Sequence, residues 1–430
     1  MSPYNLISFL GLAVLVFTAW IISKDRKNFN WRVVLWGTGL QLGFAAFIFV
    51  IPAGTRVFMF MNDAVVYILD AATAGTKFLF GPLAIGPGES GSMGFFLAFQ
   101  ALPTVVFFAA LLGLLYYLGV MPRLIDLFAR IFTKWMKISG AESLSVSSNI
   151  FVGVEASLVV KPYLNTMTKS ELCTIITAGM ATIASSVLAL YVMFLQPVFS
   201  SIAGHLLSAS LMAAPAAVVM SKVMYPEDAV PVTLGKIVKA EYEKESNWIE
   251  AVMNGAMSGG KMLFGICVML LAFLGLAGLA DKLLGAMGGV INGWTGWGMD
   301  FTLKGLLGYA FYPFTVVIGV NPADAVEISR IIGERTIVTE VQGYQDLAAL
   351  MASGKLTDPR SAALAAYALC GFAHIASLGI FIGGTAALAP SLMKDLAGLG
   401  IRALIAATLA CLMTGAAAGV FLTEGSILLK

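Results

Sequence analysis

Apolar runs long enough to cross a bilayer, such as 5–23, 172–203 and 262–288, leave this chain few choices. Backbone in lipid has no water to bond, so only α-helices and closed barrels span it. Barrel strands alternate apolar and polar residues over about ten positions, and these runs do not alternate. Only 12% of residues are charged and the mean hydropathy is +0.89, against about 25% charged in a soluble domain. The chain is therefore read as an all-α polytopic membrane protein whose surroundings are the lipid bilayer. A net charge of +2 without a basic cluster gives no sign of nucleic acid. Cys173, Cys267, Cys370 and Cys411 sit in apolar segments without CxxC spacing and read as small buried residues. No HExxH, Walker A or Rossmann fingerprint occurs, so ATP-driven transport and cofactor chemistry have no support in the sequence.

Spans are expected at about 5–23, 33–51, 94–120, 172–203, 206–221, 262–288, 362–392 and 402–426. Ser2-Pro3-Tyr4-Asn5 carries no positive charge, so the first span does not read as a signal peptide. Lys24, Arg26, Lys27 and Arg32 follow it and place that loop in the cytoplasm, with both termini outside. Residues 55–80 are amphipathic enough to lie in the interface or pack on a neighbour, and 122–138 suit an interfacial helix. The charged stretch 222–250 is expected to be a cytoplasmic connection, helical in part.

Two segments resist this scheme. Residues 140–164 are too polar at their start to face lipid, and each half is too short to cross about 30 Å. They predict a re-entrant hairpin with its tip near 149–155, since broken backbone at membrane depth survives only beside protein or a watery cavity. A second hairpin is expected at 304–346, interrupted at Pro313, Gly319, Asn321-Pro322 and Gly333. The span 362–392 is expected to break near Gly379 and Gly383-Gly384. Gly371-Phe372-Ala373-His374-Ile375-Ala376-Ser377 repeats Gly179-Met180-Ala181-Thr182-Ile183-Ala184-Ser185 at five of seven positions. Polar turns precede both, Met167-Thr168-Lys169-Ser170 and Leu356-Thr357-Asp358-Pro359, and Glu155 and Glu340 lie further upstream. A chain using a broken helix twice reads as an inverted-repeat transporter.

Glu155, Glu340 and His374 fall at predicted membrane depth, where ionisable groups are candidates for function. The plainer readings are salt bridges, Glu340 with Arg335 or Arg330 and Glu155 with Lys161, and a core histidine. Asn149, Ser185, Ser186 and the carbonyl of Val152 offer neutral oxygens near two helix breaks. Such oxygens suit a weakly held monovalent cation, or plain packing between helices.

Several motifs resemble the concentrative nucleoside transporter family. Phe99-Gln100-Ala101-Leu102-Pro103-Thr104 is similar to its third-helix signature. Gly140-Ala141-Glu142-Ser143 through Asn149-Ile150-Phe151-Val152-Gly153 resembles its first hairpin. Cys370-Gly371-Phe372-Ala373, Ile382-Gly383-Gly384 and Leu388-Ala389-Pro390 resemble its seventh helix. The resemblance runs from about 90 to 428. It implies a homotrimer of eight-helix protomers with two opposed re-entrant hairpins and interfacial helices. It also implies an elevator-like carrier in a cell membrane, coupled to sodium or protons. Sodium would be held by Asn149, Val152, Ser185 and Ser186.

The cargo site departs from the family pattern. The tip reads Gly153-Val154-Glu155-Ala156-Ser157, one residue shorter than the usual Gly-Gln-Thr-Glu-Ala-Pro, and lacks its amide and hydroxyl. Thr339 precedes Glu340 where the family has Asn, and His374 replaces the helix-seven Asn. The candidate cargo residues are Val154, Glu155, Glu340, Phe372, His374 and Ser377. Glu340, His374 and Ser377 would grip the sugar, Phe372 would pack on it and Glu155 would face the base. The leading expectation is a sodium-coupled nucleoside importer and not an enzyme. The alternative is a proton-coupled carrier of the same fold for another polar or polyhydroxylated metabolite. The expected division is 1–90 and 91–139 as scaffold, 140–221 as the first transport repeat and 222–303 as linker and scaffold helix. Residues 304–393 then form the second repeat, and 394–430 the last helix.

Overall fold

The computed structural model describes residues 2–86, 89–153, 155–238, 245–423 and 426–429, and among these it is helical with no strand. Helix α1 (Pro3–Ile21) opens where the Ser2 N–H donates to Asn5 Oδ1 at 2.8 Å, and α2 (Trp31–Phe49) where the Asn30 side chain accepts from Val33 N. Helix α3 (Pro52–Phe80) follows α2 almost directly and packs along α2 and on the helix at 202–224. These contacts fit packing on a neighbour, one of the two options its sequence left open, and its 29 residues are longer than a span requires. The third expected span is kinked at Pro103 into α4 (Leu97–Gln100) and α5 (Pro103–Tyr117). The amphipathic stretch after it is α6 (Val120–Met136).

The first hairpin descends as α7 (Gly140–Asn149), turns, and returns as the short α8 (Ala156–Val159) and a 3-10 turn at Lys161–Thr166. Every residue of α7 is buried. Then come α9 (Lys169–Ala181), α10 (Ser185–Leu195) and α11 (Ile202–Met224). The polar turn before α9 is a capping box: Glu171 N donates to Thr168 Oγ1 at 3.1 Å and Thr168 N to Glu171 Oε2 at 2.8 Å. Helix α11 is buried along nearly its whole length against α2, α9 and the last helix, so it is the centre of the core.

Among the described residues the connection after α11 is not helical. Lys239, Glu241, Glu243 and Lys244 lie outside them. Residues 231–236 instead serve the N-terminus of α7: Gly140 N donates to Thr233 O at 3.0 Å and Ala141 N to Thr233 Oγ1 at 3.2 Å. Helix α12 (Trp248–Thr295) is longer than the expected span, at 48 residues, and buries only Ala251, Gly259, Leu270 and Gly288. It lies along α5 through glycines. A Cβ on Gly113 would meet Ala251 O at 2.5 Å, and one on Gly255 would meet Ala109 O at 2.5 Å.

The second half differs from its expected outline. Helix α13 (Leu303–Val317) runs through Pro313, and α14 (Pro322–Arg335) runs through Gly333. Gly333 is needed for contact, since its Cβ would lie 2.8 Å from Leu307 O. The turn carrying Thr339 falls at 336–339, between α14 and α15 (Glu340–Ala352). The hairpin bearing Glu340 is thus α14–α15, with α13 packed on α14 as a separate helix. Helices α16 (Pro359–Leu369) and α17 (Ile375–Leu388) break at 370–374 and not at Gly379 or Gly383-Gly384, through which α17 continues. Helix α18 (Met393–Phe421) closes the core.

Among the described residues eight helical stretches are long and apolar enough to cross a membrane, the number of spans expected. Their membership differs: Pro52–Ala84 qualifies, whereas the region of 362–392 is divided into helices of 11 and 14 residues.

Buried charge ties the ends of the chain together. Arg360 donates to Leu422 O at 3.1 Å, Gly419 O at 2.8 Å, Ser8 Oγ at 2.9 Å and Tyr4 O at 3.3 Å, and also to Gly319 O. Asn5 Nδ2 adds bonds to Gly419 O and Leu422 O, both at 2.8 Å. At the base of the first hairpin, Lys222 Nζ sits 2.8 Å from Glu142 Oε1 and 3.1 Å from Glu227 Oε2.

Candidate cargo and cation site

The two matching heptads straddle the two helix breaks, and the breaks meet. Gly371 has φ +117°, and a Cβ there would lie 2.6 Å from Ala181 O and 2.8 Å from Met180 O. Gly179 reciprocates, packing on the Phe381 ring so closely that a Cβ would lie 2.3 Å away. Breaking two helices frees carbonyls. Cys411 Sγ on α18 lies 2.6 Å from Cys370 O and 3.7 Å from Ala181 O, within reach of both.

Glu340 opens α15 and is 3% exposed. Tyr191 Oη, from α10, donates to Glu340 Oε1 at 2.7 Å. His374 Nε2 lies 2.9 Å from Glu340 Oε2, yet Oε2 has no aligned hydrogen bond. His374 also caps α17: its Nδ1 accepts from Ser377 N at 3.2 Å. An accepting Nδ1 leaves the ring proton on Nε2, facing the carboxylate. Ser377 Oγ donates to His374 O at 2.7 Å and contacts Phe372 O, so its proton is committed to main chain. Ile375 N donates to Thr336 O at 3.1 Å, which pins the hairpin turn to the start of α17. The salt bridges offered for Glu340 are not formed. Arg335 Nη1 donates to Ala368 O at 3.0 Å, and Arg330 lies 3.4 Å from both Asp300 and Glu327.

The other half of the site gathers around the end of α7. Ser185 N donates to Phe151 O at 3.0 Å, and Ser210 Oγ donates to Ile150 O at 2.8 Å. These bonds bring the hairpin turn against the α9–α10 break. Asn149 is 2% exposed; its Nδ2 donates to Ser145 O at 2.9 Å, and its Oδ1 is buried without a partner. Ser186 Oγ lies 3.5 Å from Met262 Sδ on α12. A buried carbonyl oxygen with idle lone pairs beside unwound main chain fits a cation. No group of three or more His, Cys, Asp or Glu able to hold a metal occurs among the described residues. Neutral oxygens suit a weakly held monovalent ion better than a divalent one. Glu155 is half-buried and pairs with no base among the described residues, including Lys161. Val154 lies outside the described residues.

Two cavities meet here. One of about 640 Å³ is lined by Glu155, Thr339, Glu340, Phe372, His374 and Ser377, and across from them by Lys261 and Met262. The other, of about 660 Å³, reaches Val152 and Ser186 and extends to Arg123 and Glu245. Gly153, Glu155, Ser258 and Met262 border both. The arrangement can hold a small polar molecule between a buried carboxylate and an aromatic ring, with a cation beside it. Sequence reading missed Tyr191 and Lys261. Lys261 is the one charge on α12 between Glu250 and Asp281, a signal that was present. Tyr191 gave none, because its partner is 149 residues away.

Known proteins repeat this plan. Three family models match: Na+ dependent nucleoside transporter N-terminus over 10–83, Nucleoside recognition (a gate) over 98–198, and Na+ dependent nucleoside transporter C-terminus over 205–419. An uncharacterized transporter of Haemophilus influenzae is 38% identical, covering 97% of this chain and 98% of its own. Solute carrier family 28 member 3 of Mus musculus is 37% identical over 98% of this chain, which spans 59% of that longer protein. The solved structure of CNTnw in an inward-facing substrate-bound state superposes with a TM-score of 0.84 at 34% identity, covering 97% of this chain and 98% of its own. With these matches along its whole length and its row of apolar spans, the chain is a multi-pass membrane protein that belongs to the sodium-dependent, or concentrative, nucleoside transporter family.

Proposed function

We propose that this protein is a symporter that carries nucleosides across the cytoplasmic membrane with sodium. The observation that carries the reading is the meeting of two helix breaks and two hairpin turns at one cavity, with Glu340 and His374 on its wall. Glu340 accepts hydroxyl protons of the sugar, His374 holds the carboxylate, and Phe372 packs against the ring. Ser377 fixes the backbone of the break and does not grip the cargo through its own proton, which is spent on His374 O. Asn149 Oδ1, the Val152 carbonyl, Ser185 and Ser186 hold sodium, whose charge the idle oxygen of Asn149 invites. Glu155 borders both cavities and senses both ligands. The hairpins and broken helices travel as one unit past α5 and α12, in an elevator-type cycle, within a homotrimer.

The test is uptake of radiolabelled uridine and adenosine into liposomes bearing the purified protein, with and without an inward sodium gradient. Sodium-driven accumulation of at least one is expected, and no uptake of any nucleoside under any gradient sinks the reading. A second reading, a proton-coupled carrier of another polyhydroxylated metabolite, draws on Glu155. That carboxylate stands between the cavities with no ion pair among the described residues, on a tip that lacks the family's amide. Uptake that ignores sodium and follows a pH gradient would select it.

A further inference from the structure

The two oxygens of Glu340 are not equivalent, and the cause is a residue on the opposite repeat. Tyr191 is fully buried on α10. Its ring stacks on Tyr344 of α15 at 4.4 Å between centroids and 26° between planes. The Tyr344 hydroxyl is itself tied to Ala366 O at 2.9 Å. Stacked on the Tyr344 ring, Tyr191 directs its hydroxyl at Glu340 Oε1, 2.7 Å away. The other oxygen, Oε2, is buried, close to His374 Nε2, and without an aligned hydrogen bond. His374 Nε2 lies 2.9 Å from it, so a buried side chain stands at each carboxylate oxygen. His374 cannot turn to improve the contact, because its Nδ1 is committed to the N-terminus of α17.

The geometry points to Tyr191 as the positioning residue of the sugar subsite. By holding Oε1, it fixes the Glu340 carboxylate on the cavity wall, where its remaining lone pairs accept from a cargo hydroxyl. The subsite therefore favours cargo that carries a hydroxyl within reach of that carboxylate. A site built to bond a hydroxyl rejects the analogue that lacks it far more strongly than a packing contact does. This inference rests on the nucleoside reading above. It adds that discrimination between ribose and dideoxyribose is set from α10, a helix of the first repeat, acting on a hairpin of the second.

The experiment is calorimetric titration of the full-length protein, with sodium present, against uridine and 2′,3′-dideoxyuridine. Tyr191→Phe keeps the stacked ring and deletes the hydroxyl. Uridine is expected to bind about tenfold more weakly, and dideoxyuridine to change by less than about twofold. In a Glu340→Gln background the same substitution should have no further effect on uridine. Tyr344→Phe, which removes the neighbouring hydroxyl and leaves Tyr191 Oη in place, must keep the preference for uridine. Equal weakening of both ligands, no change in either, or the same shift from Tyr344→Phe overturns the assignment. A wild type that binds neither ligand removes the nucleoside reading first, and the two failures are thereby told apart.

Discussion

The two hairpin turns bring one glutamate each to the same cavity and treat it in opposite ways. Glu340 is 3% exposed, with Tyr191 on one oxygen and His374 beside the other. Glu155 is half-buried and has no ion pair among the described residues. The neighbouring amide of Asn149 likewise keeps an idle oxygen. Duplicated sequence underlies both halves, so the difference lies in what changed between copies. Thr182 turns its hydroxyl back onto Ala178 O of its own helix at 2.8 Å, whereas its twin His374 reaches out to Glu340. Tyr191 has Gly383 at the matching place 192 residues on, where no side chain exists to brace Glu155. One half is thus rigid and preorganised before anything binds, and the other is left with free acceptors for an ion to organise.

Three substitutions probe that contrast. The largest effect is expected from Glu340→Gln, which removes the charge from the braced half. Uridine uptake at low concentration should fall about 100-fold, as rates in liposomes will record. Asn149→Ala comes next. The sodium concentration for half-maximal uptake should rise about tenfold, while binding of cargo without sodium, read by thermal shift, stays as in the wild type. Glu155→Gln is the mildest, with cargo affinity changing by about threefold or less, since no partner is stranded. If Glu155→Gln proves as damaging as Glu340→Gln, the two halves are equal and the contrast is broken.

Much of this was legible beforehand, and the failures have a common cause. Apolar runs located most of the spans, and the paired heptads marked the two broken helices though not the place of the second break, because lipid and broken helices impose local patterns. Pro313 and Gly333 misled as helix breakers. Gly333 instead lets α14 approach the backbone at Leu307, a requirement set by the other helix. The break in the seventh span sits at Gly371 and not at Gly379 because Ala181 O of α9 stands against Gly371, while nothing lies within 4 Å of a Cβ on Gly379. The charged linker did not become helix along 231–236 because its backbone is used on α7. Arg335 was a natural partner for Glu340 by spacing, yet a helix break exposed the Ala368 carbonyl and claimed it. Each surprise is a contact between residues far apart in the chain, which periodicity cannot register.

The guanidinium of Arg360 has a consequence for how such a protein is made. Its acceptors are spread from Tyr4 to Leu422, so the cluster is complete only once Leu422 has been synthesised. Until then Arg360 and Asn5 both lack the carbonyls of Gly419 and Leu422. Helix α18 and the residue after it therefore complete the cluster, and a chain cut before Gly419 is expected to assemble without this lock, which a lowered thermal unfolding temperature would register.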